Sequence, residues 1–437
     1  MAKLFFKGIY RLMQLTVWVS FKVYFRHIIF YNKERLREQG PLIVISNHPN
    51  TVMDPLVALY KMPAICHLLA NYSLFKNPIT NFLLTNLFCI PVQRVTDVEE
   101  GQPLQNENAF KRANEHLKGG GNLYVAIEGF SFAERRVRTF KTGTARIAFS
   151  AELATNFDLN LRILPIAITY SDALKFRKNV IVTIGEPISV DAWRTEYERN
   201  PRKVIDTFTD HLEGIMRQMT IDCKDAHEDN FLNKLEMILQ EENPQNTGEE
   251  YGRSKTVLKN MHDWQARDLV GYEAFKTQVQ VYFYKLNRLK INDLNIIKFN
   301  FSNLLLLIVA LPFALLGFVI NAIPAFFSEK MIAWLNIDKA YDTTVRYVSG
   351  LVIFPLIWWL ELIAIRYFLQ DTPWLWLYMP VTTILGLIAW WFYKEGARYI
   401  HFFRYKKADK RGDLSDMRND ILTQLMPLCK DINQEIS

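Results

Sequence analysis

PLIVISNHPNTVMDP, Pro41 to Pro55, is the stretch whose reading decides the fold. Leu42 to Ile45 is a short apolar, β-branched run and predicts a buried strand. Ser46, Asn47, His48, Pro49 and Asn50 are loop formers, and Met53, Asp54 and Pro55 open an apolar segment of helical character. An imidazole therefore stands at the carboxyl end of a strand, with a carboxylate six positions on. In open α/β sheets that edge is where ligands bind. A neutral His48 there can take a proton from a hydroxyl, while Asp54 holds its other nitrogen and stabilises the imidazolium. Taken alone, the pair also reads as a surface histidine beside a helix-capping aspartate. The stretches downstream decide between the two.

Working outward, strands alternate with helices. Cys89 to Val92, Leu123 to Ile127, Arg162 to Tyr170 and Val180 to Ile184 read as strands. Leu74 to Leu87, Gln105 to Lys118 (stopped by Gly119, Gly120 and Gly121) and Thr142 to Leu153 read as helices. The alternation predicts an α/β fold, a mostly parallel sheet flanked by helices. Upstream, in Met1 to Tyr31, Lys3, Lys7, Arg11, Gln14 and Lys22 share one helical face. Phe5, Phe6, Ile9, Leu12, Met13, Val17 and Val19 occupy much of the rest. This predicts a basic amphipathic helix lying in a membrane interface, with a core helix of the domain as the alternative.

Composition points the same way. The chain has 437 residues, 50% hydrophobic and 14% aromatic, with a formal charge of +7. That richness implies membrane contact, and the charge suits anionic lipid or phosphorylated substrates. No zinc-ligand spacing and no nucleic-acid-binding signature occurs, so no metal, no cofactor and no nucleic-acid partner is expected. Cys66, Cys89, Cys223 and Cys429 form no CxxC pair and no disulfide framework, which predicts a reducing compartment.

Asp191 to Asn300 is charged and helical in pattern, with a loop or hinge expected over Glu236 to Arg253. Three apolar segments follow, Asn303 to Phe327, Val348 to Phe368 and Trp374 to Tyr393, each near the length that spans a bilayer. Cations precede the first and follow the last, which predicts both flanks cytoplasmic and an even number of crossings. The second and third segments would then form a hairpin through Leu369 to Pro373. The first, interrupted at Pro312, would be re-entrant or double back. Glu361 and Arg366 sit inside the second segment and are expected to neutralise each other or snorkel. The expected division is an interface helix at 1–31, a catalytic domain at 32–220, a helical linker at 221–298, membrane helices at 299–396 and a basic cytoplasmic tail at 397–437.

Four stretches now stand side by side: Asn47-His48 with Asp54; Ile90-Pro91-Val92-Gln93-Arg94; Glu128-Gly129-Phe130-Ser131; and Ile163-Leu164-Pro165-Ile166. Together they resemble the glycerophospholipid acyltransferase family, the membrane-bound glycerol-3-phosphate and lysophosphatidate acyltransferases. The likeness runs from Pro41 to Pro187 and includes FKTGTARIAF (Phe140 to Phe149) and VIVTIGEPI (Val180 to Ile188). It departs from the common pattern in three places. Five residues, Pro49 to Met53, separate His and Asp where four are usual; Ile127 stands for a proline; Phe130 stands for a threonine. The NHPN form resembles the branch with fungal-type glycerol-3-phosphate acyltransferases.

The resemblance implies an acyl chain passed directly from acyl-CoA or acyl carrier protein to a hydroxyl of glycerol 3-phosphate or 1-acylglycerol 3-phosphate. It makes His48 the general base and Asp54 its orienter. It makes Arg94 the acceptor-phosphate ligand, Glu128, Gly129 and Ser131 the acceptor-binding loop, and Pro165 a shaper of the acyl-donor side. Lys141 belongs to a basic cluster with Arg135, Arg136, Arg138 and Arg146, suited to CoA phosphates, an acidic carrier protein or lipid headgroups, or simply a solvated face. The domain would face the cytoplasm from a cytoplasmic membrane or its equivalent. The alternatives are another lysolipid or an amino-acid lipid as acceptor, or a non-catalytic lipid-binding protein of the same fold.

Overall fold

The protein is described from a computed structural model, covering residues 2–94, 97–99, 104–239, 247–293, 300–369 and 375–430. The chain divides into two compact units. Unit 1 holds residues 1–224 together with Lys339–Thr344, and unit 2 holds the remainder.

Unit 1 begins with α1 (Ala2–Tyr24) and β1 (Ile28–Tyr31), then β2 (Leu42–Ser46), α2 (Met53–Leu59) and β3 (Cys66–Asn71). It continues through α3 (Pro78–Asn86), β4 (Cys89–Val92), α4 (Glu107–Lys118), β5 (Asn122–Ala126), α5 (Gly143–Leu153) and β6 (Arg162–Tyr170). β7 (Val180–Ile184), β8 (Ile188–Ser189), α6 (Arg194–Arg199) and α7 (Pro201–Met219) complete it. The sheet order is β1-β7-β6-β2-β5-β3-β4, with β8 also on β6. β2 to β6 run parallel to one another, whereas β7 and β8 pair antiparallel to β6. The sheet is thus mixed, with a parallel core.

β2 is central and buried at all five residues, as its unbroken apolar run requires of a parallel strand covered on both faces. Ile43 and Ile45 join Ala113, Leu117, Ala148, Phe149, Phe208 and Leu212 in one core, so α4, α5 and α7 cover that face. On the opposite face Tyr170 meets Phe25, next to Phe21 of α1, and Phe21 meets Tyr60 beyond α2.

The departures from expectation have local causes. The helical stretch at the N-terminus stops at Tyr24, and Ile28–Tyr31 joins the sheet beside β7. Arg11 and Gln14 also reach back to the domain. They bond the carbonyls of Pro63, Leu59 and Met62, at and just beyond the end of α2. Leu4, Phe5, Leu12, Leu15 and Val19 are exposed along α1, together with Lys7, Arg11 and Lys22. The helix expected over Leu74 to Leu87 is a 3-10 turn followed by α3, because Asn77 caps a new start and Pro78 takes its first position. β3 carried no sequence assignment.

Unit 2 is helical: α8 (Ala226–Leu239), α9 (Thr247–Arg267), α10 (Leu269–Arg288), α11 (Phe301–Leu335), α12 (Asp342–Leu369, its first three residues in unit 1), α13 (Tyr378–Ala408) and α14 (Asp413–Leu425). Helix α9 takes up much of the stretch expected as a loop; residues 240–246 lie outside the described residues. The described residues of 221–293 and 397–430 pack against one another. Phe231, Leu235, Phe275, Val279 and Tyr282 are buried with Ile421 and Leu425 of α14, and Arg418 pairs with Asp293, which also accepts from Tyr282.

Two described helices are long and apolar enough to cross a membrane, Phe301–Leu335 and Lys339–Phe368. The first apolar segment does not double back: α11 runs straight through Pro312 and Pro324. The third is entered by a 3-10 turn, Leu375–Leu377, and becomes α-helical at Tyr378. The expected hairpin turn at Leu369 to Pro373 lies largely outside the described residues. Glu361 accepts a hydrogen bond from Tyr378 at 2.8 Å.

Candidate functional site

Parallel pairing of β2 with β6 and β5 aligns Ser46 with Ile166 and Ala126, so the turns leaving β2 and β5 open at one lip of the sheet. The NHPN turn is fixed to the sheet by Asn47, whose amide donates to the Ile168 carbonyl and accepts from the Ile168 N–H, both at 2.8 Å. His48 follows and keeps 11% side-chain exposure, while Asp54 is fully buried. His48 Nδ1 lies 2.9 Å from Asp54 Oδ2. Five intervening residues are accommodated because Thr51 takes a left-handed backbone, φ +43°. That conformation is costly for a β-branched residue and persists only where neighbours enforce it.

Three donors converge on Asp54: His48, the Asn50 N–H at 2.7 Å and the Tyr170 hydroxyl at 2.9 Å. Burial pushes the carboxyl's pKa up, and these donors pull it back toward the charged form. Tyr170 is held protonated by burial and by the Asp54 charge it faces. A bond from Nδ1–H to Asp54 leaves Nε2 as the imidazole's free acceptor, the tautomer a proton-abstracting base needs.

The Glu128 turn sits directly against this one. The Glu128 carboxyl accepts the backbone N–H of Arg138 at 3.4 Å and faces that of His48. Burial raises its pKa to about 8, although these donors oppose the rise. The Phe132 N–H bonds the His48 carbonyl at 3.3 Å, and Ser131 Oγ accepts the Thr51 N–H at 2.8 Å. Gly129 has φ +78°, which only glycine adopts freely, and it lies alongside the Lys141 side chain. Lys141 is exposed, and its N–H bonds the Ile127 carbonyl at 3.2 Å. The Arg94 guanidinium lies 5.2 Å from the Phe130 ring centre, beside the same turn.

Of the expected site residues, His48, Asp54, Glu128, Gly129 and Ser131 share one bonded cluster, and Arg94 and Lys141 border it. Pro165 does not open on it. It is buried in β6 opposite Ile45, its carbonyl accepts from Gly185, and it sits between the β8 and β7 ladders, where a missing N–H leaves no partner unpaired. Arg138 is engaged by Glu134 at 2.5 Å and stacks over Phe132. Tyr170 was not singled out from sequence. It closes an apolar strand, and only the strand pairing aims its hydroxyl at Asp54.

Residues 27–169 match the model of the Acyltransferase family. Glycerol-3-phosphate O-acyltransferase 1 of Saccharomyces cerevisiae is 21% identical over 61% of this chain and 38% of its own length. N-acylphosphatidylethanolamine synthase of Arabidopsis thaliana is 28% identical over 35% of this chain and 57% of its own. The chain thus spans less than two thirds of these relatives. The crystal structure of the 1-acyl-sn-glycerophosphate acyltransferase PlsC from Thermotoga maritima aligns with 48% of this chain and 81% of its own at 20% identity, with a TM-score of 0.35.

Proposed function

We propose that this chain, which carries an acyltransferase-family domain at residues 27–169, is a membrane-attached O-acyltransferase acting on glycerol 3-phosphate or its 1-acyl product. The observation that carries the reading is the His48–Asp54 pair at 2.9 Å at the lip of the sheet, pinned by Asn50 and Tyr170. His48 Nε2 takes the proton of the acceptor hydroxyl as its oxygen attacks the thioester carbonyl. The ester C–O bond forms, the C–S bond breaks, and the proton leaves with the thiol of CoA or of a carrier protein. Asp54 holds the ring and balances the imidazolium. Arg94, beside the Glu128 turn, offers a fork of donors for the acceptor phosphate. Burial of the Glu128 carboxyl favours its neutral form, which weakens repulsion of that phosphate. The exposed apolar residues of α1 and the two span-length helices support a membrane setting, since lipid covers such surface at no hydrophobic cost.

The test is thiol release from acyl-CoA and from acyl carrier protein, measured with purified full-length protein against a panel of acceptors. The panel holds glycerol 3-phosphate, lysophosphatidate, other lysophospholipids and phosphatidylethanolamine, the last because of the acceptor implied by one relative's name. His48→Ala is expected to lower kcat by about 10²–10⁴-fold with the fold intact. Undiminished turnover in that variant removes the base assignment.

A further inference from the structure

The segment Lys339–Thr344 opens the second span-length helix, yet it belongs to unit 1. We propose that it completes the active site, with Thr343 and Thr344 acting as positioning residues that hold the turn carrying His48. The inference rests on the acyl-transfer reading above, which assigns His48 its work, but the contacts themselves do not depend on that reading.

Thr344 Oγ1 lies 2.5 Å from Thr51 Oγ1. Thr51 is the left-handed residue that absorbs the long His-to-Asp spacing, and it is 4% exposed. Its N–H is already used by Ser131, so the hydroxyl contact fixes a second side of the same residue. Thr343 is 1% exposed and donates its hydroxyl to the Ala173 carbonyl at 2.7 Å. The same carbonyl accepts the Asn50 side-chain amide at 2.9 Å. The Thr343 carbonyl in turn accepts the Tyr24 hydroxyl at the end of α1. Thr344 therefore touches Thr51 directly, and Thr343 holds the Ala173 carbonyl on which the Asn50 side chain also rests. The Asn50 N–H bonds the very Asp54 oxygen that faces His48. The line of force runs Thr344, Thr51, Asn50, Asp54, His48.

A left-handed threonine relaxes when its restraints are removed, because the surrounding contacts alone keep it there. Relaxation would swing the Asn50 N–H away from Asp54 and loosen the imidazole. The catalytic unit is thus not contained in its N-terminal part, and a hexapeptide some 290 residues downstream in sequence supplies part of its frame.

The experiment uses the full chain in detergent or nanodiscs, with Thr343→Val, Thr344→Val, the double variant and Thr344→Ser. Valine keeps the shape and removes the hydroxyl. The double variant is expected to lose about tenfold or more in kcat, with KM for donor and acceptor within twofold of the parent. Thr344→Ser should restore most of the rate lost in Thr344→Val. Hydrogen exchange of peptides spanning residues 46–54 should quicken in the double variant while the sheet peptides stay protected. Unchanged kcat together with unchanged exchange overturns the proposal, as does a loss spread evenly over all peptides that serine does not rescue. If the parent releases no thiol with any acceptor, the acyl-transfer reading falls, and the exchange comparison alone decides whether these threonines hold the turn.

Discussion

In unit 1, Leu42, Ile43, Val44 and Ile45 are wholly buried, and the polar side chains gather at the strand ends, where Asp54, Glu128 and Asn47 each find partners. In α11 of unit 2 the order is reversed. Leu305, Ile308, Val309, Leu316, Phe318 and Val319 are exposed, while Asn321 is 9% exposed and bonds inward. Its amide donates to the carbonyls of Gly317 and Thr382 and accepts from Trp358, tying α11, α12 and α13 together. Gly317 lets the backbone of α13 approach so closely that any side chain would strike Leu385. Apolar surface outside and one polar knot inside is what a helix bundle in lipid needs, where helices gain little from burying more hydrocarbon. In unit 1 hydrophobic burial builds the frame and polar contacts are spent on chemistry. Among α11, α12 and α13 of unit 2, small residues and polar contacts build the frame.

The contrast can be broken by exchanging the roles. The largest effect is expected at Asp54. Asp54→Asn keeps the shape but loses the charge that selects the Nδ1–H tautomer, and kcat should fall by about 10²–10⁴-fold while circular dichroism is unchanged. A rate near the parent's would make the carboxylate a structural group only.

Glu128 gives a smaller effect, read in stability. Its folded pKa, about 8, lies above the ordinary 4.5. The fold therefore keeps this carboxyl's full contribution below about pH 4.5 and loses it as pH rises toward 8. The slope is at most about 1.4 kcal/mol per pH unit. Glu128→Gln has no such titration, so its melting temperature should gain on the parent's steadily between pH 5 and pH 8. Parallel profiles would mean that the carboxyl is already ionised there.

The smallest effect is expected in the bundle. Asn321→Val should cost about 1–2 kcal/mol in detergent unfolding and leave kcat within a few-fold. A variant as stable as the parent would show that the knot is dispensable and that packing at Gly317 suffices.

Much of unit 1 was legible because its strands are short apolar runs with clear punctuation; Cys89–Val92, Arg162–Tyr170 and Val180–Ile184 needed no revision. β1 escaped because its apolar residues continue the character of the helix before it. β3 escaped because CHLLAN is only partly buried beyond Cys66 and carries no alternation. The course of α11 through Pro312 was not legible either. A proline predicts a break, but neighbouring helix contacts can carry a helix past one.

The sequence by itself determined the strand, the turn and the helix of Pro41 to Pro55. Each depends on local propensity, and so the His48–Asp54 pairing was within reach of six positions of chain. Only the tertiary structure decided what keeps that pair in place. Tyr170, Ser131, Thr343 and Thr344 are hydroxyl residues with no periodic pattern to announce them. A hydroxyl's partner depends on the direction in which packing aims it, and that direction follows from which strands and turns the register of β2, β5 and β6 brings to the same lip.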